Sequence, residues 1–267
     1  MRKATLMLMI LMLTATVWGC RDETLTREEA KLALDEAQLS TQSQSMTYDV
    51  LEISTHFTIG AAVEDAVDEL KAFVESQIPC STVTRQDRTL TVDFGELGDQ
   101  CVYKGRTYAG QSQITLERTE AGQLEVTHVW TDLTNGNVTI NGGATVTWDR
   151  SEGTRRVEHQ IKWSNGDKSA TGEGDRTQQL IDRDLGLQGG IEINGSRGWS
   201  SDRGQWNLAI KGVQVRGADP VPQAGTYTLT NPDNKELTMS FKRLDDTTIE
   251  VQVSGTRRDF TFNVRAR

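Results

Sequence analysis

From about residue 82 to the last residues, apolar side chains recur at every second position, and this pattern constrains the fold more than any other feature of the chain. Leu90-Thr-Val92-Asp-Phe94, Ile114-Thr-Leu116, Leu124-Glu-Val126, Val146-Thr-Trp148, Val157-Glu-His159-Gln-Ile161-Lys-Trp163, Ile191-Glu-Ile193 and Trp206-Asn-Leu208-Ala-Ile210 all alternate. Successive side chains of a strand point to opposite faces, so each run describes a ribbon with one buried and one wet face. The last three runs are the cleanest: Leu237, Met239 and Phe241, then Ile249, Val251 and Val253, then Phe260, Phe262 and Val264. Short polar connections between such ribbons give antiparallel pairing. The expected fold is mainly β, an antiparallel meander of roughly a dozen strands built as a curled sheet, a sandwich or a half-barrel, with one or two N-terminal helices.

Asn135-Gly136, Asn141-Gly142, Asn165-Gly166 and Asn194-Gly195 supply the positive φ angles of tight hairpins, and Gly212 shifts the parity between Ile210 and Val213 as a bulge does. A break at Pro220-Val-Pro222 marks a sub-boundary near 217–224 or an interior loop.

Ahead of the strands the period is 3.6. Between Ala61 and Ile78, Ala62, Val63, Ala66, Val67, Leu70, Phe73 and Val74 form one stripe opposed by acidic residues, and Pro79 ends the segment. Such a helix is expected to lie on the sheet. Thr26-Arg-Glu-Glu29 reads as a capping box opening an earlier helix. The polar stretch Ser40 to Thr47 reads as a connection, which makes that helix a short spacer.

The first residues bear on location. Arg2 and Lys3 precede an almost wholly apolar run from Ala4 to Val17, the layout of a secretory signal and too short for a spanning helix of about 20 residues. Val17-Trp18-Gly19-Cys20 resembles the lipobox of bacterial lipoproteins, with Trp18 standing where smaller or aliphatic residues are usual. The resemblance implies cleavage before Cys20, lipidation of Cys20 with diacylglycerol and an acyl chain such as palmitate, and attachment to a membrane. Arg21-Asp22 lacks an aspartate directly behind the cysteine, which by the same resemblance favours the outer membrane of the cell envelope. A plain signal peptide with an incidental cysteine, or an uncleaved anchor, is the alternative, and both also export the domain. The organisation read from sequence is thus 1–19 signal peptide, 20–57 anchor, short helix and linker, and 58–267 a helix with the β domain.

Once Cys20 is assigned to lipid, Cys80 and Cys101 remain in an oxidising compartment, where a disulfide is the natural pairing. It would close a loop of about 22 residues and contribute on the order of 3 kcal/mol. Loss of Arg2 and Lys3 with the signal takes the formal net charge from −9 to −11, so nucleic acid is not an expected partner.

Leu90-Thr-Val-Asp-Phe-Gly95, followed by Cys101 and Gly105-Arg-Thr-Tyr-Ala-Gly110, is similar to the opening of the β meander in uncharacterised β-rich lipoproteins of Bacteroidetes. That resemblance implies fold and export and no chemistry.

No catalytic motif accompanies these elements: there is no G-x-S-x-G, P-loop or dinucleotide-binding glycine pattern, and Asp93-Phe-Gly95 lacks the other parts of a kinase. His128 and His159 stand at matching places in two strands and would approach if those strands were neighbours; with His56 elsewhere, no further ligands complete a metal site, so neither metal nor cofactor is expected. Gly172-Glu-Gly174-Asp175, Asn231-Pro-Asp233-Asn234 and Asp132-Leu-Thr-Asn135-Gly136 lack the spacing of calcium loops and read as turns. Trp130, Trp148, Trp163, Trp199 and Trp206 fall in or beside strands, and alternation places Trp148, Trp163 and Trp206 in the core. The functional expectation is a non-enzymatic, membrane-anchored binding or structural domain of the envelope. The alternatives are a lipid or lipoprotein carrier with an open half-barrel, and an envelope hydrolase.

Overall fold

The computed structural model describes residues 24–51, 63–103, 105–149, 153–166, 168–185, 189–216 and 219–266. The leader, Cys20 and His56 lie outside them. Among the described residues two helices, α1 (Arg27–Leu51) and α2 (Val63–Gln77), precede fourteen strands. These are β1 (Thr82–Gln86), β2 (Thr89–Asp93), β3 (Cys101–Tyr103), β4 (Arg106–Arg118), β5 (Leu124–Thr134), β6 (Thr139–Asp149) and β7 (Thr154–Asn165). They continue with β8 (Lys168–Leu180), β9 (Ile191–Ser201), β10 (Gly204–Val215), β11 (Ala224–Thr230), β12 (Glu236–Asp245), β13 (Thr248–Ser254) and β14 (Phe260–Arg265).

The strands pair antiparallel in chain order from β1 to β14, with β3 set aside as a short hairpin partner of β4. The path ends at β1 on one side and β14 on the other, so the sheet is an open meander and does not close into a barrel. One apolar cluster runs from Leu90 and Val92 in β2 to Val251 and Val253 in β13 and includes side chains of both helices. The sheet therefore has an inner face under the helices and an outer face in water.

Two corners bend it, and they share a construction. In the first, β5 carries a register shift between Trp130 and Leu133, with Asp132 at φ 46°. The Asn141 amide braces it, its Oδ1 accepting from the Asp132 N–H at 2.9 Å and its Nδ2 donating to Asp132 Oδ1 at 3.0 Å. In the second, β10 is shifted at Gly212, whose N–H donates to Asn194 Oδ1 at 2.7 Å. A bulge adds one residue to one strand and sharpens its bend. Close approach follows on the far side of each bulge: a Cβ at Gly110 would lie 2.2 Å from the Asp132 carbonyl oxygen, and one at Gly225 2.2 Å from that of Gly212. Asn141-Gly142 and Asn194-Gly195 are thus interior strand positions, contrary to the hairpin expectation. Their glycines take φ 124° and 132° within β6 and β9, while Asn135-Gly136 and Asn165-Gly166 do lie at hairpin turns. The bulge expected at Gly212 is present.

Helix α2 buries Ala66, Val67, Leu70 and Val74 of its stripe against β1, β2 and β4, with Phe73 half-buried and Ile78 buried just past its end. Just past it, Cys80 is disulfide-bonded to Cys101 of β3, with Cα atoms 5.2 Å apart. Helix α1 differs from expectation. Its capping box is formed, Glu29 N–H donating to Thr26 Oγ1 at 3.2 Å and Thr26 N–H to Glu29 Oε2 at 2.7 Å. The helix then continues through Ser40–Thr47 instead of ending there, and Ala33, Ala37, Met46, Val50 and Leu51 are buried in the common core. It is a structural layer of the domain and not a spacer. The Leu25 N–H donates to the Gly255 carbonyl at 2.9 Å, Lys235 reaches Glu29 at 2.8 Å, and Arg203 reaches the buried Glu36 at 3.3 Å. These contacts seat α1 over the half of the sheet that α2 leaves uncovered.

Candidate functional site

One register row crosses the inner face from Ile114 through His128, Ala144, His159, Gly174, Arg197 and Leu208. The two histidines therefore share a face, but β6 lies between their strands and Ala144 stands between them, which at about 4.8 Å per strand separates them by roughly 10 Å. They do not form a pair. Both are buried, and both imidazoles are held neutral: burial alone lowers His128 to about 3, and burial followed by the nearby positive charges of Arg176 and Arg197 lowers His159 to about 3.

Glycine in β8 makes room for this row. A Cβ at Gly174 would lie 2.3 Å from His159 Cε1, and one at Gly172 would already touch Trp199 Cβ at 3.4 Å. Gly172-Glu-Gly174-Asp175 is consequently the middle of a strand and not the turn expected from its composition. Asn231 does form a turn, its Oδ1 accepting from the backbone N–H groups of Asp233 and Lys235.

The other inner-face polar groups include arginines spread among tryptophans. Arg197 is buried beneath its neighbours, 5.9 Å from the Trp199 ring, and burial reinforced by Arg176 lowers its pKa to about 10. Trp199 and Trp206 stack at 6.2 Å with planes 7° apart. Arg155 donates to Gln178 Oε1 at 2.6 Å and lies 5.3 Å from Trp148. Trp130, Trp163, Trp199 and Trp206 are buried, whereas Trp148 is only half-buried. The arginines went unpredicted, although Arg155 shares parity with Val157 and Arg197 with Trp199.

The outer face carries the candidate site. A trough of about 980 Å³ crosses six strands from β5 to β10, between the two corners in strand order. Its walls are outward side chains, among them Val129, Glu158, Gln160, Glu173, Asp175 and Asn207, and its floor includes Gly143 and Gly198. Glu158 and Asp175 face each other across β7 and β8, and Arg156 bridges them. Its Nε donates to Asp175 Oδ1 at 2.9 Å, and its Nη2 reaches Asp175 Oδ2 at 2.6 Å and Glu158 Oε1 at 3.0 Å. The Arg156 hydrogen bond holds the Asp175 carboxyl below the usual carboxylate range.

Chemically the trough sets hydrogen-bonding carboxylates, amides and hydroxyls beside a comparable apolar surface, of which the exposed Val129 is a member. Where carboxyl groups among the described residues have a displaced pKa, at Glu29, Asp175 and Asp245, it is lowered. A general acid at neutral pH needs the opposite displacement. Among the described residues no three His, Cys, Asp or Glu side chains gather as a metal site, and no helix is long and apolar enough to cross a membrane. No family model, curated protein or solved structure matches the chain.

Proposed function

We propose that this chain is an exported lipoprotein, anchored at the cell envelope through Cys20, whose open sheet serves as a non-catalytic binding platform. The observation that carries the reading is Val17-Trp18-Gly19-Cys20 behind a short apolar leader, with Leu25, only a few residues later, already bonded to the sheet domain at Gly255. The trough across β5–β10 supplies the platform, and its mixed lining suits a ligand that presents hydroxyl or amide groups together with apolar surface. Arginine-paired carboxylates at Glu158 and Asp175 favour binding over acid–base work and weigh against the hydrolase alternative. The carrier alternative asks for a space beneath α2, and the stripe of α2 instead sits directly on β1, β2 and β4.

The test is mass spectrometry of the mature amino terminus together with fractionation of the Cys20→Ala chain. The expected result is an acylated residue 20, with export but loss of membrane retention in the variant. An intact leader, or an unmodified thiol at residue 20, overturns the reading.

A further inference from the structure

Where α1 meets the free edge of the sheet, an open groove of about 800 Å³ runs between the helix and the segment leading into β14. Its apolar lining includes Leu25, Ala30, Leu34 and Phe260. Beside it Phe262 stacks on Phe260 at 6.3 Å, and both rings stay about half exposed although they occupy the sheet's apolar parity opposite Val251 and Val253. A strand whose apolar face is left in water at a sheet edge is a docking surface, because none of the described residues covers it.

Charge identifies the occupant. The chain is acidic, with net charge −9, yet the groove is rimmed by Arg27, Lys31, Arg257 and Arg258 against Glu28 alone. Arg27, Lys31 and Leu34 follow one another at i, i+4 and i+7, so cations and an exposed leucine share one stripe of α1. Exposed aromatic and aliphatic groups ringed by cations are the composition of an interfacial membrane surface, where the apolar groups enter the headgroup boundary and the cations meet anionic phosphates.

Position agrees. Five residue steps separate Cys20 from Leu25, a reach of at most about 17 Å even when fully extended. Leu25 itself lines the groove and is fixed to Gly255 next to it. We infer that the face formed by α1 and β14 seats on an anionic bilayer surface. This rests on the anchoring at Cys20 proposed above and specifies what the tether holds the domain against.

The experiment uses the processed full-length protein in vesicles of phosphatidylcholine, with or without about one third phosphatidylglycerol, and in detergent. Tryptic cleavage after Arg257 and Arg258 and hydrogen exchange in Phe260–Arg265 are followed. Seating predicts at least tenfold slower cleavage and slowed exchange on anionic vesicles alone. Arg257→Glu/Arg258→Glu, read by hydrogen exchange because it removes the tryptic sites, and Phe260→Ser/Phe262→Ser, read by both, should each lose most of that protection while the protein still floats with the vesicles. Equal cleavage in all three media by protein that floats with the vesicles overturns the inference. Protection that rises with protein concentration in detergent assigns the face to a second copy and overturns it equally. If residue 20 carries no lipid, protection of the untethered protein on anionic vesicles upholds the surface while removing the anchor, and its absence removes both.

Discussion

Lowering the pH from 7 to 5 should cost this protein a large part of a typical domain's stability, through two imidazoles buried in the sheet. In the unfolded chain a histidine takes up a proton near 6.5, whereas His128 and His159 in the folded sheet do so only at about 3. The stability carried by the neutral rings is therefore complete above pH 6.5 and is lost as pH falls toward 3. Integrating proton uptake by the unfolded state between pH 7 and 5 gives about 2 kcal/mol for each ring, about 4 kcal/mol together. This compares with about 5–15 kcal/mol for a whole domain. Few carboxylates titrate in that interval, which makes it selective for histidine. Urea unfolding followed by tryptophan fluorescence at the two pH values measures the difference directly. His128→Gln/His159→Gln should be weaker at pH 7 but nearly flat between 7 and 5. A wild-type protein that keeps its stability to within about 1 kcal/mol at pH 5, or a double variant with the wild-type slope, would refute the claim that burial of these two rings governs acid sensitivity.

Reduction of Cys80–Cys101 reopens a loop with a sequence separation of 21. It should lower stability by about 3 kcal/mol and the melting temperature by roughly 6–12 °C, which calorimetry with and without a phosphine reductant will read. Gly195→Ala, at φ 132° with its Cβ 2.2 Å from the Asp175 carbonyl oxygen, should cost more than about 2 kcal/mol. Gly198→Ala, whose nearest neighbour would lie at 3.5 Å, should change stability by less than about 0.5 kcal/mol, and equal effects of the two would remove Gly195 as a corner. Thr26→Ala loses the cap of α1 and should cost about 1 kcal/mol in urea unfolding.

The elements legible in the sequence were those whose local pattern and tertiary setting agree. The runs from Leu90 to Val253 alternate because their strands bury one face only, and Thr26–Glu29 closes the box its spacing implies. What escaped did so where packing overrides pattern. Ser40–Thr47 has Met46 as its one large apolar residue and no stripe, yet it is carried through as helix between buried Ala37 and buried Val50 and Leu51. β8 turns Gly172, Gly174, Arg176 and Gln178 inward because large neighbours, Trp199 and His159, fill the space above the glycines. No alternation of apolar residues survives there, and none was needed. Asn141-Gly142 and Asn194-Gly195 carry the composition of a hairpin turn, but only the partner strand reveals that each braces a bulge. The trough was illegible for a related reason, since its walls come from six strands and its shape from two corners.

A sheet whose ladder follows the order of synthesis from β1 to β14 has a width that is not fixed by closure. Removing or duplicating any adjacent pair of strands restores the direction and facing of everything that follows, because parity is conserved two at a time. Descendants of such a chain are free to grow or shrink in the middle while both helices keep their seats near the ends. The span of the outward depression, and with it the length of whatever lies there, is then adjustable by counting hairpins, without inventing a new architecture.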